Sequence, residues 1–158
     1  MARSPSILRK LRTLAGVGAR RQWLVTEAAA SMLSARVIVL LRPFPKVSAK
    51  FGTFVPPSDP RVTAHGVGAT PEQARIAKDI GWAVAAAAPF MPFRSVCLQQ
   101  AMAAHAMLRR RGIASVMHFG ASRGEQKPID AHAWLDAAGV EVVGYPVAKN
   151  MPELGCFV

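Results

Sequence analysis

The sequence predicts an α+β protein, with a basic helical front region packed on a core of one central helix and a small antiparallel sheet. Three observations carry this. Residues 22–41, 70–88 and 95–111 place apolar residues three and four apart in alanine-rich surroundings, the spacing of one helix face. Beyond Gly112 the texture changes to short runs rich in Val, Phe and Trp, with alternating polarity over 129–136. Prolines fall between these blocks or at their starts.

Residues 1–21 are basic and include Ala15, Gly16, Gly18 and Ala19, which predicts a short, frayed helix. A long helix over 22–41 ends at Pro43 and Pro45, because proline lacks the amide donor and biases its predecessor away from helical angles. One more turn is expected over 46–51. The stretch "TFVPPSDPRVTAHGVGA" (53–69) reads as a linker, dividing the chain into a front region, 1–69, and a core, 70–158. Thr70 then offers a cap, Pro71 suits the first helical position, and Glu72 and Gln73 favour the first turn. Ile76, Ile80 and Val84 recur at helical spacing beside Trp82, up to a stop at Pro89. "PFMPF" is a kinked connector into the helix of 95–111, which Gly112 closes. Strands are expected over 113–121, 129–136 and 140–143, the last two forming a hairpin about 137–139. A polar turn is expected over 124–128, and "LGCFV" is expected to add an edge strand.

At 158 residues and 51% hydrophobic content the chain can bury a core, which excludes a disordered protein. The net charge of +11 is uneven: residues 1–70 carry eleven Lys/Arg against two acids, residues 71–158 nine against seven. Such a front half suits an anionic partner. Aromatic residues are not interleaved with the basic ones, which argues against nucleic acid. Residues 23–41 have the length of a membrane span, but Glu27 and Arg36 lie inside and each costs roughly 2.5–3.5 kcal/mol near a bilayer centre. The segment reads as a core or amphipathic helix, compatible with peripheral membrane contact, and no signal-type cleavage site follows it. Two cysteines, Cys97 and Cys156, are too few for a disulfide scaffold, and no Cys/His group has zinc-ligand spacing, so a reducing, cytoplasmic setting is expected without metal or organic cofactor.

The chemistry concentrates in "DAHAWLD". Strand alternation puts Asp130, His132, Trp134 and Asp136 on one face and apolar Ala131, Ala133 and Leu135 on the other. An imidazole between carboxylates beside an aromatic wall suits a cleft. Cys97 stands at a predicted helix start, where unpaired N–H groups and the helix dipole favour the thiolate and can receive an oxyanion. A thiol on a helix followed by a base on a sheet is the minimum for nucleophilic catalysis by cysteine. His65, His105 and His118 have no partner legible in the sequence, and Cys156 and Arg109–Arg111 read as structural.

"CLQQAMAAHAMLRRRGI", a following strand and "DAHAWLD" with "EVVG" resemble the transglutaminase-like cysteine peptidases of lasso-peptide biosynthesis, which cut leader from precursor peptide. The resemblance spans about residues 75–158, and the front stretch "QWLVTEAAASMLSARVIVLLRPFP" resembles the helical region of stand-alone members. It implies a transglutaminase/papain-like core, Cys97 as nucleophile and His132 as general base. The implied partners are the leader peptide, a small leader-recognition protein and the downstream cyclase. Such families place an aspartate opposite the histidine. Here a hairpin turning at 138–139 sets Gly144 or Tyr145 opposite His132, which leaves Asp130 or Glu141 as the orienting carboxylate. Asp136 falls where the family often has glutamate. Gln100, within a turn of Cys97, is a candidate oxyanion or substrate contact. Two other readings fit the residues: amide acyl transfer to an amine, and a non-catalytic binding module.

Overall fold

A computed structural model describes residues 16, 18–94, 96–123 and 129–158. Helix α1 runs over Ala19–Leu41 and ends where Pro43 forbids continuation; α2 is the short Phe44–Ser48. Strand β1 (Phe54–Val55) and the one-turn helix α3 (Pro60–Thr63), capped by the Asp59 carboxylate, follow. Helix α4 (Pro71–Ala87) opens as its start signal predicts. Thr70 Oγ1 accepts the Gln73 N–H at 3.1 Å, and Gln73 Oε1 accepts the Thr70 N–H at 2.9 Å. A 3₁₀ turn at Ala88–Phe90 leads to helix α5 (Cys97–Arg109). Strands β2 (Ser115–Ser122), β3 (Asp130–Ala137), β4 (Val140–Val143) and β5 (Glu153–Phe157) complete one antiparallel sheet in the order β1-β5-β2-β3-β4.

The helices cover one face of this sheet. Leu24, Ala28, Met32 and Ala35 of α1, Ile80 and Val84 of α4, and Met102, Met107 and Leu108 of α5 share a core with Met117, Ala133, Leu135, Ala137 and Phe157. The α+β reading is correct, and the long helix of the front region supplies part of that core. The presumed linker at 53–69 is also structural. It donates β1 to the sheet, and with Val62 of α3 it covers the back face, where Val55, Val116 and Cys156 form a second cluster. The C-terminal strand lies inside the sheet, between β1 and β2, because β1 takes the edge that β5 was expected to hold. Trp82 stays on the outer side of α4, under the Arg21 guanidinium at 4.9 Å. Residues 1–15 and 124–128, expected as a frayed helix and a polar turn, lie outside the described residues, apart from Gly16 and 18–21 of the former stretch.

Two register shifts interrupt the ladders of the sheet. Between β2 and β5, Phe119 pairs with Gly155 but Gly120 with Glu153, so Leu154 is an extra residue that bulges outward. Between β3 and β4, Leu135 pairs with Val143 but Asp136 with Glu141. Each bulge changes which face the next residue serves.

Candidate functional site

Cys97 occupies the first position of α5, half-buried and free of any disulfide. Val96, its N-cap, has no side-chain acceptor. The start is secured instead by Gln99, 2% exposed, whose Oε1 accepts the Val96 N–H at 3.0 Å. The N–H groups of Cys97, Leu98 and Gln99 have no carbonyl four residues back within the helix, so they form a set of donors at the thiol. Gln100 sits half-buried in the same turn, its N–H bonded to the Val96 carbonyl at 3.3 Å.

The helix returns directly into β2 through residues 110–114, so the two elements run antiparallel. At ~1.5 Å per residue Cys97 stands about 18 Å from Arg109. The same length along β2 from Ser115, at ~3.3 Å per residue, ends near Gly120 or Ala121. Gly120 is the partner of His132. Cys97 and His132 therefore belong to the same end of the fold.

The His132 side chain leaves β3 on the back face. Ala133, Leu135 and Ala137 point into the helical core, whereas His132 stacks on Trp134 with ring centroids 5.9 Å apart. Among the described residues no hydrogen bond joins His132 to Cys97. What orients the imidazole is a carbonyl: His132 Nε2–H donates to Gly144 O at 2.6 Å, leaving the Nδ1 lone pair available. A main-chain carbonyl, from the residue level with Trp134, makes the contact sought from a carboxylate. Asp130 is exposed at the start of β3, paired with Ser122, and Glu141 is exposed opposite Asp136, away from the His132 row. Neither holds the ring. Gly144 can approach this closely because it has a φ of +87° and no side chain; a Cβ there would lie 2.6 Å from Ala133 O.

A second cluster, not legible in the sequence, lies on the same back face. His118 stacks on Trp134 with its ring nearly parallel (5.4 Å, 4°), extending the stack to His118–Trp134–His132. His118 Nε2 lies 3.1 Å from Asp136 Oδ2, and Nδ1 lies 2.5 Å from Glu153 Oε1 and 3.4 Å from Cys156 Sγ. The Cys156 thiol donates to Glu153 Oε1 at 2.9 Å, while Tyr145 donates its hydroxyl to Asp136 at 2.6 Å. Burial pulls the His118 pKa down, but the two carboxylates outweigh it and leave the ring more basic than usual. Burial and then the Glu153 carboxylate push the Cys156 thiol well up. Cys156 is thus protonated, solvent-inaccessible and unsuited to nucleophilic attack.

Elsewhere, His105 Nδ1 meets Ser115 Oγ at 2.9 Å between α5 and β2, and burial lowers its pKa, fitting a neutral packing role. Arg110 and Arg111 do meet an acidic partner, within the chain: both grip Glu27 of α1, at 2.9 and 2.6 Å.

No curated protein and no solved structure matches the sequence. One family model does, the transglutaminase-like superfamily, over residues 38–151, a stretch that includes Cys97 and His132 and stops before Cys156. Matched over well more than half its length, and with a cysteine opening its central helix against an antiparallel sheet, the chain belongs to the transglutaminase-like superfamily.

Proposed function

We propose that the protein is a cysteine-dependent leader peptidase of ribosomally made precursor peptides, of the kind that acts in lasso-peptide maturation. The superfamily generally contains cysteine-dependent enzymes, of peptidase or acyl-transfer type. The observation that carries the reading is Cys97 at the first position of a helix, where the N-terminal N–H groups gather, level with an imidazole whose Nε2 is already engaged. In this reading the Cys97 thiolate attacks the scissile carbonyl and the α5 N-terminus receives the oxyanion. His132 first takes the Cys97 thiol proton on Nδ1 and passes it to the amine as the C–N bond breaks. It then takes a proton from the water that attacks the thioester and returns it to the departing Cys97 sulfur. The ladder between β4 and β3 ends at Leu135, and in this reading the ring releases the Gly144 carbonyl and swings past the end of that ladder toward α5 when peptide binds. Gln100 contacts the substrate in the same turn. The basic front region, with Trp23, Leu33, Val37 and Leu40 exposed on α1, docks the leader, its recognition protein or the cyclase, in the cytoplasm.

The test is mass spectrometry of a peptide library incubated with the full chain, with Cys97→Ala and with His132→Ala. Hydrolysis adds water to one product, whereas acyl transfer to an added amine adds the amine. Loss of products in both variants, with Cys156→Ala still active, is expected. Cleavage that survives Cys97→Ala sinks the proposal.

A further inference from the structure

We propose that His118 Nδ1, Cys156 Sγ and Glu153 Oε1 form a zinc(II) site, held ready by Asp136 behind the imidazole and leaving one coordination position open. The proposal is independent of the chemistry at Cys97.

The three donor atoms stand 2.5, 2.9 and 3.4 Å from one another. A triangle that small leaves a point just off its plane within ~2.0–2.3 Å of every corner, the bond lengths zinc takes with N, O and S. Glu153 and Cys156 are three apart on β5, a spacing that sends side chains to opposite faces of a regular strand. The bulge at Leu154 cancels that parity and brings both to His118, one strand away. The outer contacts follow the pattern of metal-bound histidines. Asp136 Oδ2 lies 3.1 Å from Nε2, placed to hold the ring once Nδ1 gives up its proton to a metal, and Tyr145 donates its hydroxyl to that carboxylate. Among the described residues these three form the one His/Cys/carboxylate group of metal-binding size. A thiolate with imidazole and one carboxylate selects a borderline ion such as zinc over magnesium or calcium, which take oxygen.

Binding is balanced by protons. The Cys156 thiol and His118 Nδ1, which both face Glu153 Oε1, each give a proton to solvent, so that sulfur enters as thiolate, His118 through the Nδ1 lone pair and Glu153 as carboxylate. Each ion then replaces its own waters with one S, one N and one O ligand. With Cys156 0% exposed, the ion ties β5 to β2 inside the sheet, beneath the stack that ends at His132.

The experiment is titration of the chelator-stripped full chain with cobalt(II) and zinc(II), followed by visible and near-ultraviolet absorption and by competition with a chelator. One equivalent of cobalt is expected to give a thiolate-to-metal charge-transfer band and the intense visible bands of a tetrahedral ion, both abolished by zinc. Cys97→Ser leaves them unchanged, whereas Cys156→Ser removes the thiolate band. Asp136→Asn weakens zinc binding roughly 10–100-fold, the usual loss for an outer partner, and Glu153→Gln weakens it at least as much. Glu153 is partly exposed, so its variant keeps the core and remains informative if Cys156→Ser fails to fold. Absence of saturable binding to the wild-type chain overturns the site. So does a thiolate band that follows Cys97, or a Glu153→Gln affinity equal to wild type.

Discussion

Replacing Gly144 with alanine probes the element that steadies His132. A Cβ at this position would sit 2.6 Å from both Ala133 O and Trp134 Cβ and 2.7 Å from Trp134 Cα. Ordinary contact is close to 3.5 Å, so the backbone at 144 must withdraw by ~0.9 Å, and β3 cannot yield because it pairs with β2 along its whole length. The same withdrawal carries Gly144 O from 2.6 Å to about 3.5 Å from His132 Nε2, beyond hydrogen-bonding range. Two costs add. An L-residue held at a φ of +87° loses about 1–2 kcal/mol, and the lost hydrogen bond a further ~0.5–1.5 kcal/mol. A total near 2–3 kcal/mol lowers the melting temperature by roughly 4–12 °C at this chain length. Circular dichroism during heating reads the stability. Long-range ¹H–¹⁵N correlation on the histidine ring reads the tautomer, which is the Nε2–H form in the wild type and a mixture in Gly144→Ala. A variant that melts within about 1 °C of wild type and keeps a single Nε2–H tautomer would refute the reasoning.

Gly81→Ala in α4 sets helix propensity against packing. Alanine gains ~1 kcal/mol as a helix former, but its Cβ would lie 2.3 Å from the Val142 carbonyl oxygen, a backbone atom fixed by the β3–β4 hairpin. Overpacking wins, and a net loss of about 1–2 kcal/mol is expected in urea unfolding; a stabilised variant contradicts it. Glu27 tests the clamp between α1 and α5. The hydrogen bond from Arg111 first, then that from Arg110 against some desolvation, hold its carboxyl below the ordinary 4.5. A lowered folded pKa contributes stability above the ordinary value and loses it as pH falls through the folded one. The urea midpoint of wild type is therefore expected to drop more than that of Glu27→Gln between about pH 6 and about pH 3. Parallel curves remove the clamp from the account.

Local signals reached the structure where they act within a few residues. Thr70, Pro71 and Gln73 fix the start of α4 in the sequence and in space, and the alternation of "DAHAWLD" correctly separates Ala133 and Leu135 from His132 and Trp134. The failures are non-local. Nothing in "TFVPPSDPRVTAHGVGA" shows that Phe54 and Val55 will pair with β5, because a two-residue strand has no periodicity to read. The bulge in the β3–β4 pairing shifts the hairpin count, so Gly144 stands level with Trp134 and its carbonyl reaches His132 from there. The group that reaches the ring is not a carboxylate but a main-chain oxygen, which every residue carries and no sequence reveals. His118, Glu153 and Cys156 lacked ligand spacing because two strands and a bulge, not a short loop, assemble them. The acidic partner of the arginine run is 84 residues upstream of Arg111.

The two cysteines divide along electrostatic lines. Cys97 meets the positive end of a helix, half-open to solvent, and among the described residues no carboxylate is bonded to it. Cys156 is sealed among Glu153, His118 and Asp136, where a bare thiolate would face two carboxylates without water. An anion is stabilised at the first position by the backbone and at the second only by a cation. The sheet between them makes this possible, because its helical face supplies dipoles and its back face supplies ligands. His118, Trp134 and His132 then run side by side along that back face, so whatever fixes His118 also sets the platform against which His132 rests. A metal at Cys156 would tighten the base without touching the nucleophile, and the His132 ring spectrum should sharpen on zinc addition in wild type and stay unchanged in Cys156→Ser.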